Sequence, residues 1–572
     1  MVTHIYNFLI AITNAITTGS NLIISYFCQN RIVMGRLIML PAILLFVCIE
    51  IHAQPGGRPK LVVGIVIDQM RWDYLYRYYE RYAANGGFKR FLNRGFTCEN
   101  TFIPYAPTVT ACGHSSIYTG SVPAITGITG NFWWDKEQMR SVYCTEDGSV
   151  NTVGSSTSLG KMSPKNLLVT TICDELKLAT NFRSKVVGIA IKDRGGILTA
   201  GHSANAAYWY DNTTGDWITS TYYMNELPKW VDDFNKKKSV DKYYEQGWNL
   251  LYDANTYKQS TADEKKYEGK PLGDTFPYDL KKFIGKNYGV LSVTPFGNTF
   301  TAEFAKASIT SEQLGADNIT DFLAISFSSP DYIGHTFGPN SVEAEDGFLR
   351  LDKELGDLFD FLDMKVGKDQ YMVFLSADHG VAQVPEYMQE NKLSGGRVFL
   401  ATVTSTLNKN LKEKYNLDAI IVSDENYQLH LNHPRLDSAK VNKTELVEWI
   451  VDRLSKEPGI ARCFSLTDLN SVALPARIRE MINNGYYPRR NGDIQLIFLP
   501  QYIEGYSNTG TTHGQWNPYD SHIPLLWYGW GIKKGKTNKE TYMTDIAPTI
   551  AALLRIQMPA GSVGKVIEDV MK

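Results

Sequence analysis

The sequence predicts an α/β fold: a three-layer sandwich with a mainly parallel central sheet and helices on both faces. Four continuous apolar runs are typical of strands buried on both faces, at residues 60–68, 321–331, 371–380 and 522–532. Helical patterns occupy 86–95, 163–179 and 341–365, and the helix at 544–556 begins with capping residues. This alternation of strands and helices favours a parallel sheet over an all-β or all-α architecture.

The composition is that of a globular protein with a large core. The chain has 572 residues, of which 43% are hydrophobic and 21% charged, with a formal net charge of -2. Nucleic-acid binders usually carry a basic excess, so we expect no nucleic-acid partner.

The N-terminal residues 1–53 have the layout of a secretory signal. A second methionine, Met34, is followed by Arg36, an apolar run at 37–49 and a small residue, Ala53. We therefore expect translation to start at Met34, a signal peptide at about 34–53, and a periplasmic or secreted protein. The run is too short for a stable membrane span. Cys48 follows an apolar stretch, but Val47 fits a lipoprotein box poorly, so secretion is favoured over a lipid anchor.

Seven cysteines are present, and five remain after the signal region. The sequence contains no C-x-x-C pair, which argues against a zinc ribbon or a redox motif. An oxidising compartment permits a disulfide, but an odd count leaves at least one thiol free.

We expect one catalytic domain at 58–560 with two insertions, at about 203–300 and 385–500. The first is rich in Tyr, Trp, Asn and Lys. The second carries a strand-like segment at 419–432 and a helical one at 443–456. Both insertions are expected to cover a site at the strand ends.

Acidic residues and histidines follow the predicted strands. Ligands of doubly wound sheets bind at the carboxyl ends of strands, and the residues at or near these ends are Asp68, Asp331, His335, Asp378, His379 and His513. Each alone has an ordinary explanation as a turn residue, a cap or a satisfied polar group. Six together are harder to explain in that way. Carboxylates with imidazoles are a typical zinc set, and six ligands suit two Zn²⁺ ions, the arrangement that clamps an in-line phosphoryl displacement.

Several motifs together resemble the alkaline phosphatase superfamily. They are VIDQMRWDYL, PTVTACGHSSIYTGSVPAITGITGN, IKDRGGI, SSPDYIGHTFGPNS, LSADHG, TTHG and TDIAPTIAALL, in family order from about residue 58 to 560. Among the branches, the chain most resembles secreted phosphomonoesterases of PafA type, which use a threonine nucleophile. The resemblance implies an alkaline phosphatase-like fold and a monomeric alkaline phosphatase of broad substrate range that forms a covalent phosphothreonine.

The resemblance also assigns the site residues. It makes Thr110 the catalytic nucleophile and a ligand of the second metal. Asp331, His335 and His513 match the first metal site, and Asp68, Asp378 and His379 match the second. Asn131 matches the residue that binds a phosphoryl oxygen, and Lys192 and Arg194 match the pair that completes the phosphate grip. His114 and the neighbouring serines are expected to pack or cap within the helix.

Lys192 and Arg194 favour a phosphate monoesterase. A monoester dianion presents three non-bridging oxygens, whereas a diester presents two and carries one charge less. Two cationic side chains supply donors where transition-state charge collects, and the diesterase relatives generally lack the pair.

Three alternatives are weaker. A sulfatase needs a Cys or Ser that opens a C/S-x-P-x-R run, and the CGHSS run at Cys112 lacks the proline and the arginine. A phosphodiesterase or nucleotide pyrophosphatase of the same superfamily remains the closest rival. A non-catalytic metal-binding protein would have no need of Thr110 together with all six ligands.

Overall fold

The computed structural model describes residues 57–269 and 271–571. The expected signal region, with Met34 and Cys48, lies outside the described residues, so its prediction stays a prediction. No helix in the described ranges is both long and apolar enough to cross a membrane.

The strands of the described chain form one large sheet, one smaller sheet and two strand pairs. They are β1 (Leu61–Ile67), β2 (Phe96–Phe102), β3 (Phe132–Asp135), β4 (Arg140–Tyr143), β5 (Thr152–Val153), β6 (Val186–Ala190), β7 (Ala206–Asp211), β8 (Asp216–Ser220), β9 (Asp321–Phe327), β10 (Tyr371–Ser376), β11 (Gly396–Val398), β12 (Ile421–Ser423), β13 (Gln428–Leu431), β14 (Ile460–Ser465), β15 (Ile494–Phe498), β16 (Tyr502–Glu504), β17 (His522–Gly529) and β18 (Gly535–Tyr542).

The helices pack around these sheets. They are α1 (Tyr74–Arg77), α2 (Gly87–Arg94), α3 (Thr110–Thr119), α4 (Pro123–Thr126), α5 (Ile172–Ala179), α6 (Asp193–Ala200), α7 (Lys229–Asn235), α8 (Ser239–Gln246), α9 (Phe296–Ser311), α10 (Ser329–Phe337), α11 (Val342–Leu362), α12 (Pro385–Glu390), α13 (Leu400–Tyr415), α14 (His433–Ser438), α15 (Lys443–Leu454), α16 (Ala476–Gly485), α17 (Pro518–Ser521) and α18 (Ile546–Leu554).

The large sheet has ten strands in the order β18-β2-β17-β10-β1-β9-β6-β7-β8-β5. β1 lies at its centre, parallel to β9 and β10, and all seven of its residues are buried. That burial on both faces is why the run is apolar without alternation. The predicted mainly parallel sheet is confirmed, and antiparallel pairs occur where β17 joins β10 and β2 and where β8 joins β7 and β5.

The strand directions bring chemistry-bearing residues to one edge. β17 is antiparallel to both β10 and β2, so β2 runs in the same direction as β10, β1, β9 and β6. The carboxyl ends of these five strands therefore meet at one edge of the sheet, together with the start of β17.

Three segments differ from the sequence prediction. The helix expected from residue 163 begins only at Ile172, because Thr171 and Asp174 form a capping box that fixes the helix start. The strand-like segment at 419–432 is broken by a 3-10 turn at Glu425–Tyr427, where Asn426 has a φ of 60°. The region from 203, expected as an insertion, begins with β7 and β8, which extend the large sheet.

The second sheet lies within the region expected as the second insertion. Its strand order is β12-β13-β15-β14. A separate apolar core supports it, in which Leu429, Leu446, Ile450 and Ile494 are fully buried. The turn that breaks its first two strands becomes part of the site.

Candidate metal centre and active site

Two groups of three side chains could each hold a metal ion. Asp331, His335 and His513 form one group, and Asp68, Asp378 and His379 form the other. In each group one ligand atom from every residue lies within 4.8 Å of the others. The structure thus brings together all six residues that the sequence predicted to bind metal, in the two sets that the resemblance implied.

The sheet edge positions most of these side chains. Asp68 directly follows β1, and Asp378 and His379 come two and three residues after β10. Asp331 lies four residues beyond β9, in the first turn of α10, with His335 one turn later on the same helix. Asp331 and His335 are thus four residues apart because they lie one helical turn apart on α10. Asp331 does not lie at the strand end, where the sequence pattern placed it.

The three histidines are held in the same way. In each histidine, Nδ1 lies close to a backbone carbonyl oxygen. The distance is 2.8 Å from His335 to Thr511, 3.0 Å from His379 to Gly380 and 2.7 Å from His513 to Thr108. An Nδ1–H donated to a carbonyl leaves Nε2 as a lone-pair donor, which is the state of a metal-binding imidazole.

The Nε2 atoms face the carboxylates. His335 Nε2 lies 3.2 Å from Asp331 Oδ1, and His379 Nε2 lies 3.4 Å from Asp378 Oδ2. The rings of His379 and His513 stack with their centroids 3.5 Å apart. Burial, reinforced by His379 and His335, holds the pKa of His513 well below its usual value, so His513 is neutral and able to bind a metal.

The carboxylates concentrate negative charge in a buried place. Asp68 Oδ1 is buried and accepts no hydrogen bond. The buried Asp68 Oδ2 has Lys192 Nζ at 2.6 Å, and the buried Asp378 Oδ2 has His114 Nδ1 at 3.3 Å. Burial, with the charges of Asp378 and Asp331, raises the pKa of Asp68 well above its usual value, although Lys192 opposes this. Burial alone would raise the pKa of Asp331 too, but His335 and Lys192 outweigh it and hold that pKa well below the usual value.

Lys192 bridges the two groups. Its Nζ lies 2.6 Å from Asp68 Oδ2 and 2.6 Å from Asp331 Oδ2. Burial would lower the pKa of Lys192, but Asp331 and Asp68 outweigh it, so the side chain stays a cation. The predicted phosphate-binding lysine therefore contacts predicted metal ligands in this structure.

These observations fit divalent cations. Three carboxylates gathered in a buried place, with imidazole Nε2 atoms facing them, are an unfavourable arrangement unless positive charge compensates them. Lys192 supplies one such charge for several carboxylates. Oxygen and imidazole donors in groups of three match the chemistry of zinc and similar ions.

Thr110 is the first residue of α3 and is almost fully buried. Its Oγ1 lies 3.4 Å from His379 Nε2, which places the hydroxyl beside the second group. The amide of Ala111 donates to Asn131 Oδ1 at 2.9 Å, so the predicted phosphate-binding asparagine adjoins the helix start. Helix N-termini favour anions because their first amides have no partner within the helix.

Arg194 is held by a tyrosine. Its Nη1 donates to Tyr143 Oη at 3.0 Å, and Tyr143 Oη donates in turn to Asp193 Oδ1 at 2.7 Å. Arg194 Nε is buried without a hydrogen-bond partner. Lys192 and Arg194 flank the start of α6, but the contacts of Lys192 are the carboxylates and those of Arg194 are this tyrosine.

Cys112 is not part of the site. The thiol is fully buried in α3, and its Sγ donates to the Ile128 carbonyl at 3.1 Å. Burial raises the pKa of this thiol well above its usual value, so it is an inert group. All five described cysteines are unpaired.

Sequence reasoning missed several supporting residues. Gln69, next to Asp68, donates through Nε2 to Asp331 Oδ1 at 2.6 Å and through its backbone amide to Asp378 Oδ1 at 3.1 Å. His114, expected only to pack or cap, has Nδ1 2.9 Å from the Thr110 carbonyl and 3.3 Å from Asp378 Oδ2. Position next to a ligand could have drawn attention to Gln69, but no sequence signal indicates Tyr143.

A cleft of about 330 Å³ opens from the centre. Its inner part is lined by Val109, Asn131, His335, Thr512 and His513, and its outer part by Phe132, Asp424, Glu425, Asn426, Tyr427, Glu504 and Tyr506. Residues 424–427 of the outer part belong to the second insertion, which the sequence analysis expected to cover a site, whereas Phe132, Glu504 and Tyr506 lie outside both predicted insertions.

Known proteins share both the sequence and the fold. The model of the type I phosphodiesterase/nucleotide pyrophosphatase family matches residues 62–520. Alkaline phosphatase PhoV of Synechococcus elongatus is 53% identical over 529 residues, which cover 91% of this chain and 95% of that protein. A protein of Myroides odoratus named calcium-transporting ATPase is 52% identical over 522 residues, which cover 90% of this chain and 95% of that protein.

The crystal structure of wild-type alkaline phosphatase PafA matches with a TM-score of 0.88 and 49% identity, covering 91% of this chain and all of that one. The predicted alkaline phosphatase-like fold is therefore confirmed. With these matches, the chain belongs to the type I phosphodiesterase/nucleotide pyrophosphatase family, within the alkaline phosphatase superfamily.

Proposed function

We propose that this protein is an alkaline phosphatase, a hydrolase of phosphate monoesters that uses Thr110 as its nucleophile. The observation that carries the proposal is the Thr110 hydroxyl at the start of α3, 3.4 Å from His379 Nε2 and beside two buried carboxylate–imidazole groups. Identity of about half over nine-tenths of the chain to alkaline phosphatase PhoV and to the PafA structure supports the same activity.

The six ligands would hold two Zn²⁺ ions, one in each group, with Thr110 completing the second. Bound cations would lower the pKa of the Thr110 hydroxyl and neutralise negative charge on the reacting oxygens. The chain's own contribution is the arrangement: Nδ1–carbonyl contacts orient all three imidazoles, and Gln69 donates to both Asp331 and Asp378.

Other residues would bind the phosphoryl group. The hydrogen bond from Ala111 to Asn131 Oδ1 fixes that side chain and leaves its NH₂ group to donate to a phosphoryl oxygen. Arg194, oriented by Tyr143, supplies a partly buried cation whose buried Nε has no hydrogen-bond partner. Charge-assisted bonds of this kind strengthen as charge develops on the phosphoryl oxygens.

The reaction would proceed in two displacements. Thr110 gives up its proton to solvent and its Oγ1 attacks phosphorus; the bond to the ester oxygen breaks, and the leaving alcohol takes a proton from solvent. A water molecule then attacks the phosphothreonine and gives up a proton to solvent, the bond between Oγ1 and phosphorus breaks, inorganic phosphate is released, and Oγ1 regains a proton. The enzyme is unchanged at the end of the cycle, and the net reaction hydrolyses one ester bond with one water molecule.

The family also contains phosphodiesterases, so the preference for monoesters over diesters must be supported by the residues of this site. Lys192 and Arg194 add two positive charges near the centre, which favours the dianionic group of a monoester over the monoanion of a diester. A terminal phosphoryl group of ATP presents the same three oxygens, so ATP is a substrate worth including because of the Myroides relative's name.

The deciding experiment compares nitrophenol release from nitrophenyl phosphate and bis-nitrophenyl phosphate, with ATP as a third substrate. We expect monoester hydrolysis to dominate in kcat/KM. Mass spectrometry of acid-quenched enzyme should find a phosphoryl group on Thr110. A larger kcat/KM for the diester would overturn the monoesterase assignment, and a phosphoryl group elsewhere would overturn the nucleophile.

Three finer points belong to the same proposal. The signal pattern at 34–53 supports a periplasmic or secreted enzyme. The donor set supports zinc over magnesium or calcium, which prefer oxygen ligands alone. A monomer is proposed from the family resemblance and is testable by light scattering.

A further inference from the structure

The outer wall of the cleft differs in charge from its inner end. We define the outer wall by the residues of its outer part, Phe132, Asp424, Glu425, Asn426, Tyr427, Glu504 and Tyr506. It carries three carboxylates, and none of the described residues that line the cleft is a lysine or an arginine. An anionic substrate would thus enter an enzyme whose cleft wall is acidic.

The three carboxylates are close enough to repel one another. Burial, with the charges of Asp424 and Glu425, raises the pKa of Glu504 to about 7, although Tyr506 opposes the shift. Glu425 accepts from Ser141 Oγ at 2.7 Å through Oε1, while its Oε2 is buried and accepts no hydrogen bond. A cation between these carboxylates would relieve their repulsion.

Aromatic rings accompany these carboxylates. Phe132 and Tyr506 remain 48% and 79% exposed, which is unusual for such large rings. Ring faces attract ammonium groups, quaternary ones included, through their electron density. The wall therefore combines the two features that recognise an organic cation.

The wall is tied to the catalytic centre. Tyr427 Oη donates to the His513 carbonyl at 2.6 Å, and Asn426 Nδ2 donates to the Phe132 carbonyl at 2.8 Å. With the phosphoryl group beside Thr110 and Asn131, the cleft is the space into which the leaving alcohol projects. A group a few bonds from the ester oxygen would reach the wall.

We propose that the outer wall selects phosphate monoesters whose leaving alcohol carries an ammonium group, such as choline phosphate. The proposal rests on the monoesterase function and names the substrate class of that site. Neutral alcohols lack the attraction, and alcohols with a carboxylate or a second phosphate are repelled.

The test uses three esters of similar shape at alkaline pH: choline phosphate, its neutral isostere 3,3-dimethylbutyl phosphate, and the phosphate of 3-hydroxypropanoate. We expect kcat/KM to favour choline phosphate over the neutral isostere by about tenfold. The carboxylate ester should be slower than both. Equal values for the first two esters would overturn the proposal.

Variants locate the effect. Asp424→Asn/Glu425→Gln/Glu504→Gln keeps the shapes and removes the charges, so the ratio between choline phosphate and its isostere should fall to about one. Phe132→Leu should reduce it severalfold. Glu413→Gln, an exposed acid on α13, is the matched control and should leave the ratio unchanged. A ratio that survives the triple substitution would contradict the proposal.

Failure of the two proposals can be told apart. If the wild type hydrolyses none of choline phosphate, 3,3-dimethylbutyl phosphate and nitrophenyl phosphate, the proposed monoesterase function is wrong. If it hydrolyses all three esters but shows no preference for choline phosphate over its neutral isostere, only the proposed selectivity is wrong. The ratio of kcat/KM for choline phosphate to kcat/KM for its neutral isostere is measured within each variant, so a partial loss of folded enzyme does not change it. If the triple variant does not fold, Glu504→Gln alone takes its place.

Discussion

The proposed catalytic cluster and the outer wall of the cleft are built in opposite ways. Asp68, Asp378 and His379 are fully buried and follow central strands of the large sheet. The outer wall is formed by a turn of the second sheet, the end of β16 with the residues that follow it, and Phe132; its Tyr506 is 79% exposed. One region is fixed by the core, and the other is assembled from surface segments distant in sequence.

The difference assigns separate tasks to the two regions. A rigid scaffold holds ligands and nucleophile to the precision that phosphoryl transfer needs. Surface segments can change without disturbing that scaffold, so they are suited to select the alcohol. Substitutions in the cluster should therefore abolish the chemistry, while those in the wall should change which esters are preferred.

The largest expected effect is at the nucleophile. Thr110→Ala should lower kcat/KM for nitrophenyl phosphate by at least about a thousandfold and remove the phosphoenzyme, because it removes the proposed attacking hydroxyl. Cys112→Ala is the matched control two residues away. It should keep most activity and lose about 1 kcal/mol of stability, as one buried weak hydrogen bond disappears.

Kinetics with nitrophenyl phosphate and thermal unfolding measure both variants. An inactive Cys112→Ala beside an active Thr110→Ala would place the chemistry elsewhere on α3.

Metal removal comes next. Chelation with EDTA should abolish activity and added Zn²⁺ should restore it. Asp331→Ala and His513→Ala should each lose metal, because a three-ligand group tolerates little loss. His433→Ala, at a histidine that begins α14 and is paired with Asp493 at 2.7 Å, should keep its metal. Metal analysis of the three variants decides, and full occupancy in the first two would refute the ligand assignment.

The cationic pair should separate the two ester classes. Each charge-assisted hydrogen bond contributes roughly 1.5–3 kcal/mol. Lys192→Ala/Arg194→Ala should therefore slow monoester hydrolysis by on the order of a hundredfold or more. Diester hydrolysis should fall much less, since an esterified oxygen offers less charge to bind. The measurement is kcat/KM for a monoester and a diester with the same leaving group.

Lys192 also neutralises Asp68 and Asp331, so metal content must accompany this assay. Equal losses on both substrates, with changed metal content, would mean that the pair organises the carboxylates and does not recognise the monoester.

The same contrast explains what could be predicted from sequence. Asp68 and Asp378 closely follow apolar strands, so a local pattern reveals each residue, and parallel strands bring such ends together. Asp331 fitted this pattern in sequence but lies on α10, one turn before His335. The assignment of Thr110, Asn131, Lys192 and Arg194 depended on the family resemblance.

The outer wall had no comparable signal. Asp424 and Glu425 fall in a segment with strand character, and the chain turns there through Asn426 and Tyr427, each with a φ of 60°. Asn426 reaches Phe132 across 294 positions of sequence. Contacts of this separation depend on how the second sheet packs, which local periodicity does not encode.

The smallest expected effect concerns Tyr143, which lies between the two regions. Its hydroxyl accepts from Arg194 and donates to Asp193, while its ring packs on Phe132 at 4.8 Å between centroids. Tyr143→Phe keeps the ring and frees the guanidinium to move, so monoester kcat/KM should fall by about tenfold, or roughly 1.4 kcal/mol. Diester kcat/KM should change by less.

Tyr415→Phe is the matched control, because the Tyr415 hydroxyl has no hydrogen-bond partner. A drop confined to the monoester makes Tyr143 a positioning residue for Arg194. If Tyr143→Phe instead alters the ratio of choline phosphate to its neutral isostere and leaves the monoester-to-diester ratio intact, Tyr143 acts through Phe132, and the boundary between chemistry and selectivity lies deeper in the cleft than the outer wall.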